Sequence, residues 1–158
     1  MKTLLKSILL GAMLVAAGAA IAAGTPDPVV GTWKLNIAKS TIDPSQALKC
    51  QTRTYTQGDD GISVAVKGVR ADGSPVSQQS TFKYDGKEYK WSGAADYDGV
   101  SLKRVNGSTV TAVMMRAGKK VGNTTRTISG QGKILTLATK VTGADGKSYS
   151  IILVFDKQ

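Results

Sequence analysis

Two arginines occur among apolar residues in a pattern suited to the recognition of an acidic group. Arg126 lies in the segment 121–129 on the same face as Ile128, and Arg104 follows Leu102 at the alternate position. Residues two apart share one face of a strand, so both guanidinium groups are predicted to face the interior. A buried charge alone costs several kcal/mol. The carboxylate or phosphate of a ligand would compensate it through a bidentate pair.

Both arginines also admit a second interpretation, in which the side chain reaches solvent. Arg104 ends its segment beside Asn106-Gly107, where a long side chain extends easily beyond the sheet. Arg126 lies nearer the middle of its segment, from where solvent is harder to reach. The two interpretations stay open for both residues.

The segments 76–84 and 88–92 contribute a face of mixed polarity. Phe82 and Tyr84 share this face with the amide of Gln78, and Trp91 lies on the apolar face of the next segment. Such a mixture suits a cavity for an amphipathic molecule, although Trp91 is also compatible with simple core packing. The candidate ligand-binding residues are therefore Arg126, Arg104, Tyr84, Phe82, Gln78 and Trp91. One bulge would reverse the assignment of every residue beyond it.

The run Arg53-Thr54-Tyr55 also places a guanidinium and a phenol on one face of a strand. Its polar neighbours Gln51 and Gln57 indicate an outer face, so Arg53 and Tyr55 are predicted at the surface.

Catalytic and metal-binding patterns are missing from the sequence. The chain has no His and one Cys, which excludes a Ser-His-Asp or Cys-His site, a His-ligated metal and an internal disulfide. Glu88 is the one glutamate and the aspartates fall mostly in turns, so no inward carboxylate pair is predicted. We therefore expect no catalytic residues, metal or cofactor, and Cys50 is expected to be a small, part-buried side chain. A barrel enzyme that uses Arg, Tyr or Lys is the least supported hypothesis.

Turn signals divide the chain into short segments rich in Val, Ile, Thr and Tyr. Dipeptides such as Asp72-Gly73, Asn106-Gly107 and Asp145-Gly146 are typical of tight hairpins. Ten strands are predicted, at 30–36, 49–57, 62–69, 76–84, 88–92, 100–105, 109–116, 121–129, 134–142 and 148–156. The short links favour an all-β, antiparallel up-and-down meander, which closes most economically into a barrel because closure removes exposed edges. An open sandwich is the alternative. The link 38–48 is predicted to hold one helical turn that starts at Asp43-Pro44.

The first 22 residues have the pattern of a cleavable export signal. Lys2 and Lys6 precede an apolar run at 8–21, and Ala20-Ile21-Ala22 is a small-x-small cleavage site. The run is shorter than the roughly 20 residues that span a bilayer, which disfavours a retained anchor. We therefore expect a single domain at 23–158 that is periplasmic or secreted.

The charge of the chain is strongly positive, at +10, and removal of the two lysines of the leader lowers it to +8. The basic residues are spread along the chain, which favours a solvated basic surface. Affinity for an anionic lipid surface is the functional alternative. Nucleic acid is not expected, because the chain is exported and no basic run carries interleaved aromatics.

The run Gly31-Thr32-Trp33-Lys34-Leu35 resembles the first strand of lipocalins and intracellular fatty-acid-binding proteins. This resemblance implies a closed barrel, an internal cavity for an apolar ligand, and a structural role for Trp33 as the plug of one end. The longer run 33–40 and the segments 84–87, 101–104 and 156–158 resemble a group of exported bacterial proteins that are mostly uncharacterised.

The sequence departs from the fatty-acid-binding pattern at two places. The link 38–48 is too short for the two portal helices of that family, and the last strand, 149–155, has no Arg of the family's Arg-x-Tyr headgroup pair. The nearest basic residue that could pack across Trp33, as an Arg does in lipocalins, is Lys157. The family's headgroup site is therefore not transferred to this chain.

Two functions compete on this basis. The first is an exported β-barrel that binds a small apolar or amphipathic molecule, such as a fatty acid or lipid, as a monomer. The alternative is a solid-core structural or protein-interaction module of the cell envelope with a basic surface.

Overall fold

Local turn chemistry sets the ends of most strands in the computed structural model, which describes residues 25–158. In the turn after Arg70, for example, the Asp72 carboxylate accepts a hydrogen bond from the Ser74 amide at 2.8 Å, and Gly73 adopts a φ of +90°. Such turns separate ten strands: β1 (Gly31–Leu35), β2 (Leu48–Gly58), β3 (Gly61–Arg70), β4 (Pro75–Phe82), β5 (Asp85–Ser92), β6 (Gly99–Arg104), β7 (Thr109–Arg116), β8 (Lys119–Ser129), β9 (Ile134–Thr142) and β10 (Ser148–Lys157).

The ten strands form a closed antiparallel barrel in which each strand pairs with its neighbours in sequence. Closure occurs at β1, where Trp33 lies opposite Arg53 of β2 and Lys157 of β10. The predicted all-β, up-and-down meander of ten strands is therefore confirmed, and it is a closed barrel rather than an open sandwich. The predicted leader at 1–22 and its cleavage site lie outside the described residues. Across 25–158, no helix has the length and apolar character needed to cross a bilayer.

The link between β1 and β2 contains two short 3-10 helices, η1 (Ile37–Lys39) and η2 (Pro44–Gln46). The Asp43 carboxylate caps η2 by accepting the Ser45 amide at 2.9 Å, and Pro44 supplies the first helical position. The helical turn predicted at Asp43-Pro44 is thus present. A second, unpredicted turn, η1, precedes it.

The strand predicted at 88–92 begins three residues earlier in the structure, at Asp85. Asp85 pairs with Lys103, and a register shift separates this pair from the next one at Glu88. Gly86, with a φ of +77°, lies inside this irregularity. The Asp-Gly dipeptide that predicts a turn therefore forms a bulge within the strand.

The inner face of the barrel carries the buried apolar residues, among them Ile62, Val64 and Val66 of β3 and Leu135 of β9. Strand parity predicts this face correctly along β3 and β9. In β8 the parity reverses at Val121, which has no partner because the register shifts between Met114 and Met115 of β7. Residues of β8 before this bulge therefore follow the opposite parity from Arg126 and Ile128 beyond it.

Candidate ligand-binding cavity

One end of the barrel is covered by residues 25–30, which we call the N-terminal segment. Val29 in this segment is fully buried, and its carbonyl accepts a hydrogen bond from the Trp33 indole at 2.7 Å. Trp33 is itself fully buried at this closed end. The Lys157 ammonium lies 5.0 Å from the centre of the indole ring, which is a cation–π contact.

A cavity of about 130 Å³ lies inside the barrel and extends towards the opposite end, which we call the mouth. Its wall is mostly apolar and includes Phe82, Val100, Leu102, Leu137 and Leu153. At the mouth the wall is completed by residues 94–97 of the link that follows β5 and by Gln46 of the link that precedes β2. An apolar wall with few polar groups is the usual character of a small-molecule site.

Two buried arginines project into this cavity from β2 and β8, and a third, partly exposed one, Arg70 at the end of β3, also lines it. Arg126 is 6% exposed and Arg53 is 9% exposed. The Arg126 guanidinium donates to the Tyr84 hydroxyl at 2.5 Å and lies 5.3 Å and 5.7 Å from the ring centres of Tyr84 and Tyr55. The Arg53 Nε donates to the Gln51 amide oxygen at 3.0 Å. The two cations are thus held by neutral groups.

Neither buried arginine has a carboxylate partner among the described residues. The two ion pairs found there are Lys39–Asp156 and Arg104–Asp27. Every fully buried side-chain nitrogen or oxygen atom of residues 25–158 has a hydrogen-bond partner. The guanidinium donors that bond to no protein group therefore retain accessible surface, and both arginines line the cavity. They are available to an anionic group placed there.

The structure divides the predicted site residues between two places. Gln78, Phe82, Trp91 and Arg126 line the cavity, and the Trp91 indole donates to the Gln78 amide oxygen at 3.1 Å. Trp91 is buried as a core residue as well, so its two interpretations are compatible.

Tyr84 and Arg104 lie at the closed end instead of in the cavity wall. Arg104 is 34% exposed at the end of β6 and forms an ion pair with Asp27 of the N-terminal segment. Its guanidinium lies 4.3 Å from the centre of the Tyr84 ring. The solvent-reaching interpretation therefore describes Arg104, with a protein carboxylate rather than a ligand as its partner.

The prediction that Arg53 and Tyr55 lie at the surface is wrong. Both are buried, as is Gln51, and all three line the cavity. The error arose because Gln51 was interpreted as an outer residue, whereas it is the hydrogen-bond partner of Arg53 inside the barrel. The threonines 52, 54 and 56 at the alternate positions were the signal for the outer face, since Thr tolerates a solvated sheet surface.

Cys50 also differs from its prediction, because it is exposed and not part-buried. It lies on the outer face of β2, at the same parity as the threonines 52, 54 and 56. In the described part of the chain, no group of three His, Cys, Asp or Glu side chains is close enough together to hold a metal ion.

The link between β5 and β6, residues 93–98, crosses the mouth and is called the mouth loop. The Asp96 carboxylate accepts hydrogen bonds from the Tyr149 hydroxyl at 2.6 Å and from the Ala144 amide at 3.1 Å. The Tyr97 ring packs 5.7 Å from the Trp91 ring. These contacts tie the loop to β10 and to the turn before it, on the other side of the mouth.

Burial raises the pKa values of the two tyrosines at the mouth. Desolvation raises the pKa of Tyr97 to about 12, with smaller contributions from neighbouring charges. The pKa of Tyr149 is also raised, first by burial and then by its hydrogen bond to the negative charge of Asp96. Both phenols are therefore neutral throughout the physiological range, and that of Tyr149 acts as a hydrogen-bond donor.

No protein-family profile and no curated protein matches this chain. Among solved structures, the chain is similar to zebrafish ileal bile acid-binding protein complexed with cholic acid. The two share 13% sequence identity with a TM-score of 0.47, over 83% of this chain and 99% of the zebrafish protein. The resemblance of the segment 33–40 to exported bacterial proteins stays a prediction.

Proposed function

We propose that this protein binds one small amphipathic molecule with an acidic head group inside its barrel. The observation that carries the proposal is the pair of buried arginines, Arg53 and Arg126, which line an apolar cavity without a carboxylate partner. A guanidinium out of water needs an anion to offset its desolvation, and it binds carboxylate or phosphate through parallel hydrogen bonds. The ligand head supplies that anion, and its apolar body lies along the cavity wall.

The depth of the cavity bounds the length of the ligand. Arg126 lies opposite Leu137, which lies opposite Leu153 of β10. From Leu153 to Tyr149 at the mouth, β10 advances four residues, or about 13 Å at the usual rise of a strand. A single-chain acid of medium length matches this span with its head at the arginines and its tail at the mouth loop, and the cavity volume of about 130 Å³ leaves no room for a bulky ring system.

The cavity favours this binding function over a solid-core interaction module. Asp96 is the one acidic residue among the described cavity-lining residues, and a lone carboxylate offers no acid–base pair; we therefore propose a binding protein and not an enzyme. Export to the periplasm or the exterior, the monomeric state and affinity for an anionic lipid surface remain expectations from the sequence.

A calorimetric titration with decanoate and with the neutral alcohol decanol tests the proposal. We expect decanoate to bind about 10- to 100-fold more tightly, because hydrogen bonds to charged groups contribute about 1.5–3 kcal/mol. Arg126→Gln and Arg53→Gln should each lose most of this preference and leave decanol binding nearly unchanged.

Lys140→Gln is the matched control, because it removes one positive charge from the exposed face of β9. It should bind decanoate as the wild-type protein does. Equal affinity of the wild-type protein for the acid and the alcohol would contradict the proposal, as would a loss of decanoate affinity in Lys140→Gln equal to that in the arginine variants.

A further inference from the structure

We propose that Tyr84 is a positioning residue for Arg126, and that the Asp27–Arg104 ion pair of the N-terminal segment holds Tyr84 in place. This inference rests on the proposed function, because it concerns how the anion-binding group is oriented. It assigns a role in ligand recognition to three residues at the closed end, outside the cavity wall.

Tyr84 stands between the two arginines and contacts both. The Arg104 guanidinium lies over its ring at 4.3 Å, and the Phe82 ring packs against it at 5.9 Å. Its hydroxyl accepts a hydrogen bond from Arg126 at 2.5 Å. The ring is thus fixed from the side of the closed end, and its hydroxyl is presented to the guanidinium inside.

Arg104 is fixed in turn by Asp27. The Asp27 side chain is 6% exposed and pairs with Arg104. Its Oδ1 accepts the Val29 amide at 2.9 Å, and the Asp27 amide donates to the Gln57 side chain at 2.9 Å. The N-terminal segment is therefore anchored to the barrel on both sides of this carboxylate.

Asp27 is charged at neutral pH. Burial acts to raise its pKa, but hydrogen bonds from the Val29 amide and from the Tyr84 and Arg104 side chains outweigh burial, so the pKa is lowered. A charged Asp27 keeps the ion pair with Arg104 intact under ordinary conditions.

The consequence of this chain of contacts is a guanidinium with a defined orientation. One donor of Arg126 is committed to Tyr84, and the ring centres of Tyr55 and Tyr84 lie 5.7 Å and 5.3 Å from the guanidinium. A side chain that is already ordered loses less freedom when its ligand binds. Removal of the orienting hydroxyl should therefore weaken acid binding by about threefold to tenfold.

The test is the variant Tyr84→Phe, which keeps the ring beneath Arg104 and removes the hydroxyl. Calorimetry should show the Kd for decanoate rising about threefold to tenfold, with the Kd for decanol unchanged. Asp27→Asn should act in the same direction by releasing Arg104, and Asp27→Glu should restore part of the decanoate affinity.

Tyr89→Phe is the control, because it also removes one tyrosine hydroxyl, which bonds to Asp85 away from the cavity. A purely structural role of Tyr84 would weaken acid and alcohol alike, and that result would overturn the inference. Unchanged decanoate affinity in both Tyr84→Phe and Asp27→Asn would also overturn it, while the proposed function would stand. The proposed function fails separately, if the wild-type protein itself does not prefer decanoate to decanol.

Discussion

Arg53 and Arg126 are buried arginines whose positive charge has no carboxylate partner among the described residues. Each is satisfied in part by a neutral neighbour, Gln51 or Tyr84, and neither has a protein carboxylate within reach among the described residues. By contrast, Arg104 has Asp27. Arg104 is partly exposed and paired with a carboxylate, whereas Arg53 and Arg126 are buried and have none, and this difference separates the binding site from the structural closed end.

Tyr97 provides a prediction for alkaline pH. Its pKa in the folded protein is about 12, against an ordinary value of 10.0, so the folded state resists ionisation that the unfolded state undergoes. Its contribution to stability is complete below pH 10.0 and is lost as the pH rises to about 12. Denaturant unfolding should therefore show a falling free energy of unfolding across this range.

Tyr97→Phe has no hydroxyl to ionise and should lose about 1–2 kcal/mol less than the wild-type protein over the same range. The raised pKa of Tyr149 contributes a loss of the same sign in both proteins. Parallel pH profiles of the free energy of unfolding for the two proteins would show that Tyr97 is not desolvated in the folded state.

At the scale of elements, the mouth loop is the part of the barrel best placed to control ligand access. It is attached across the mouth mainly through Asp96, which bonds to Tyr149 and Ala144, while the Arg116 side chain bonds to its backbone at 3.1 Å. Arg126 is attached towards the closed end, through its hydrogen bond to Tyr84. A ligand therefore has to pass this loop, if the N-terminal segment stays closed.

Asp96→Ala should open this passage. Removal of the two carboxylate bonds should raise the association and dissociation rates of decanoate by about tenfold each, since about 1.4 kcal/mol of barrier corresponds to a factor of ten, and should leave the Kd nearly unchanged. Stopped-flow measurements check this prediction.

Asp72→Ala is the control, because Asp72 bonds only within its own turn at the same end of the barrel. If the two variants bind and release decanoate at the same rates, the mouth loop is not the barrier.

The alternation of apolar residues predicts the buried face of some strands and not of others. Alternation predicts the inner face of β3 through Ile62, Val64 and Val66, because the large apolar side chains there recur at every second position. The same reasoning failed in β2, where the inner positions include Gln51 and Arg53. When polar residues occupy the inner positions of a strand, alternation of polarity does not show which face is buried.

At the scale of the whole molecule, closure leaves a cavity with uncompensated positive charge, so an acidic ligand should stabilise the fold. At a decanoate concentration of 100 times the Kd, linkage predicts an increase of about 2.7 kcal/mol in the free energy of unfolding. Thermal unfolding with and without decanoate measures this increase, and Arg126→Gln should show a much smaller one.

Native mass spectrometry of the same samples should show a monomer carrying one decanoate. Protein isolated from its native source should carry a discrete extractable mass if its natural ligand is retained. Binding of several decanoate molecules, or equal stabilisation of the wild-type protein and Arg126→Gln, would indicate adsorption to the basic surface instead of occupancy of the cavity.

The sequence by itself determined the ten antiparallel strands and their order, because Asp-Gly and Asn-Gly turns and the alternation of Val, Ile and Thr act over a few residues. It also placed Gln78, Phe82, Trp91 and Arg126 on the inner face. Only the tertiary structure decided that Arg53 joins Arg126 in the cavity and that Arg104 pairs with Asp27. These contacts depend on β1 meeting β10 from the other end of the chain and on the N-terminal segment folding back over the barrel. Such long-range closure leaves no local pattern, because a polar side chain becomes interior only when the surrounding strands enclose it.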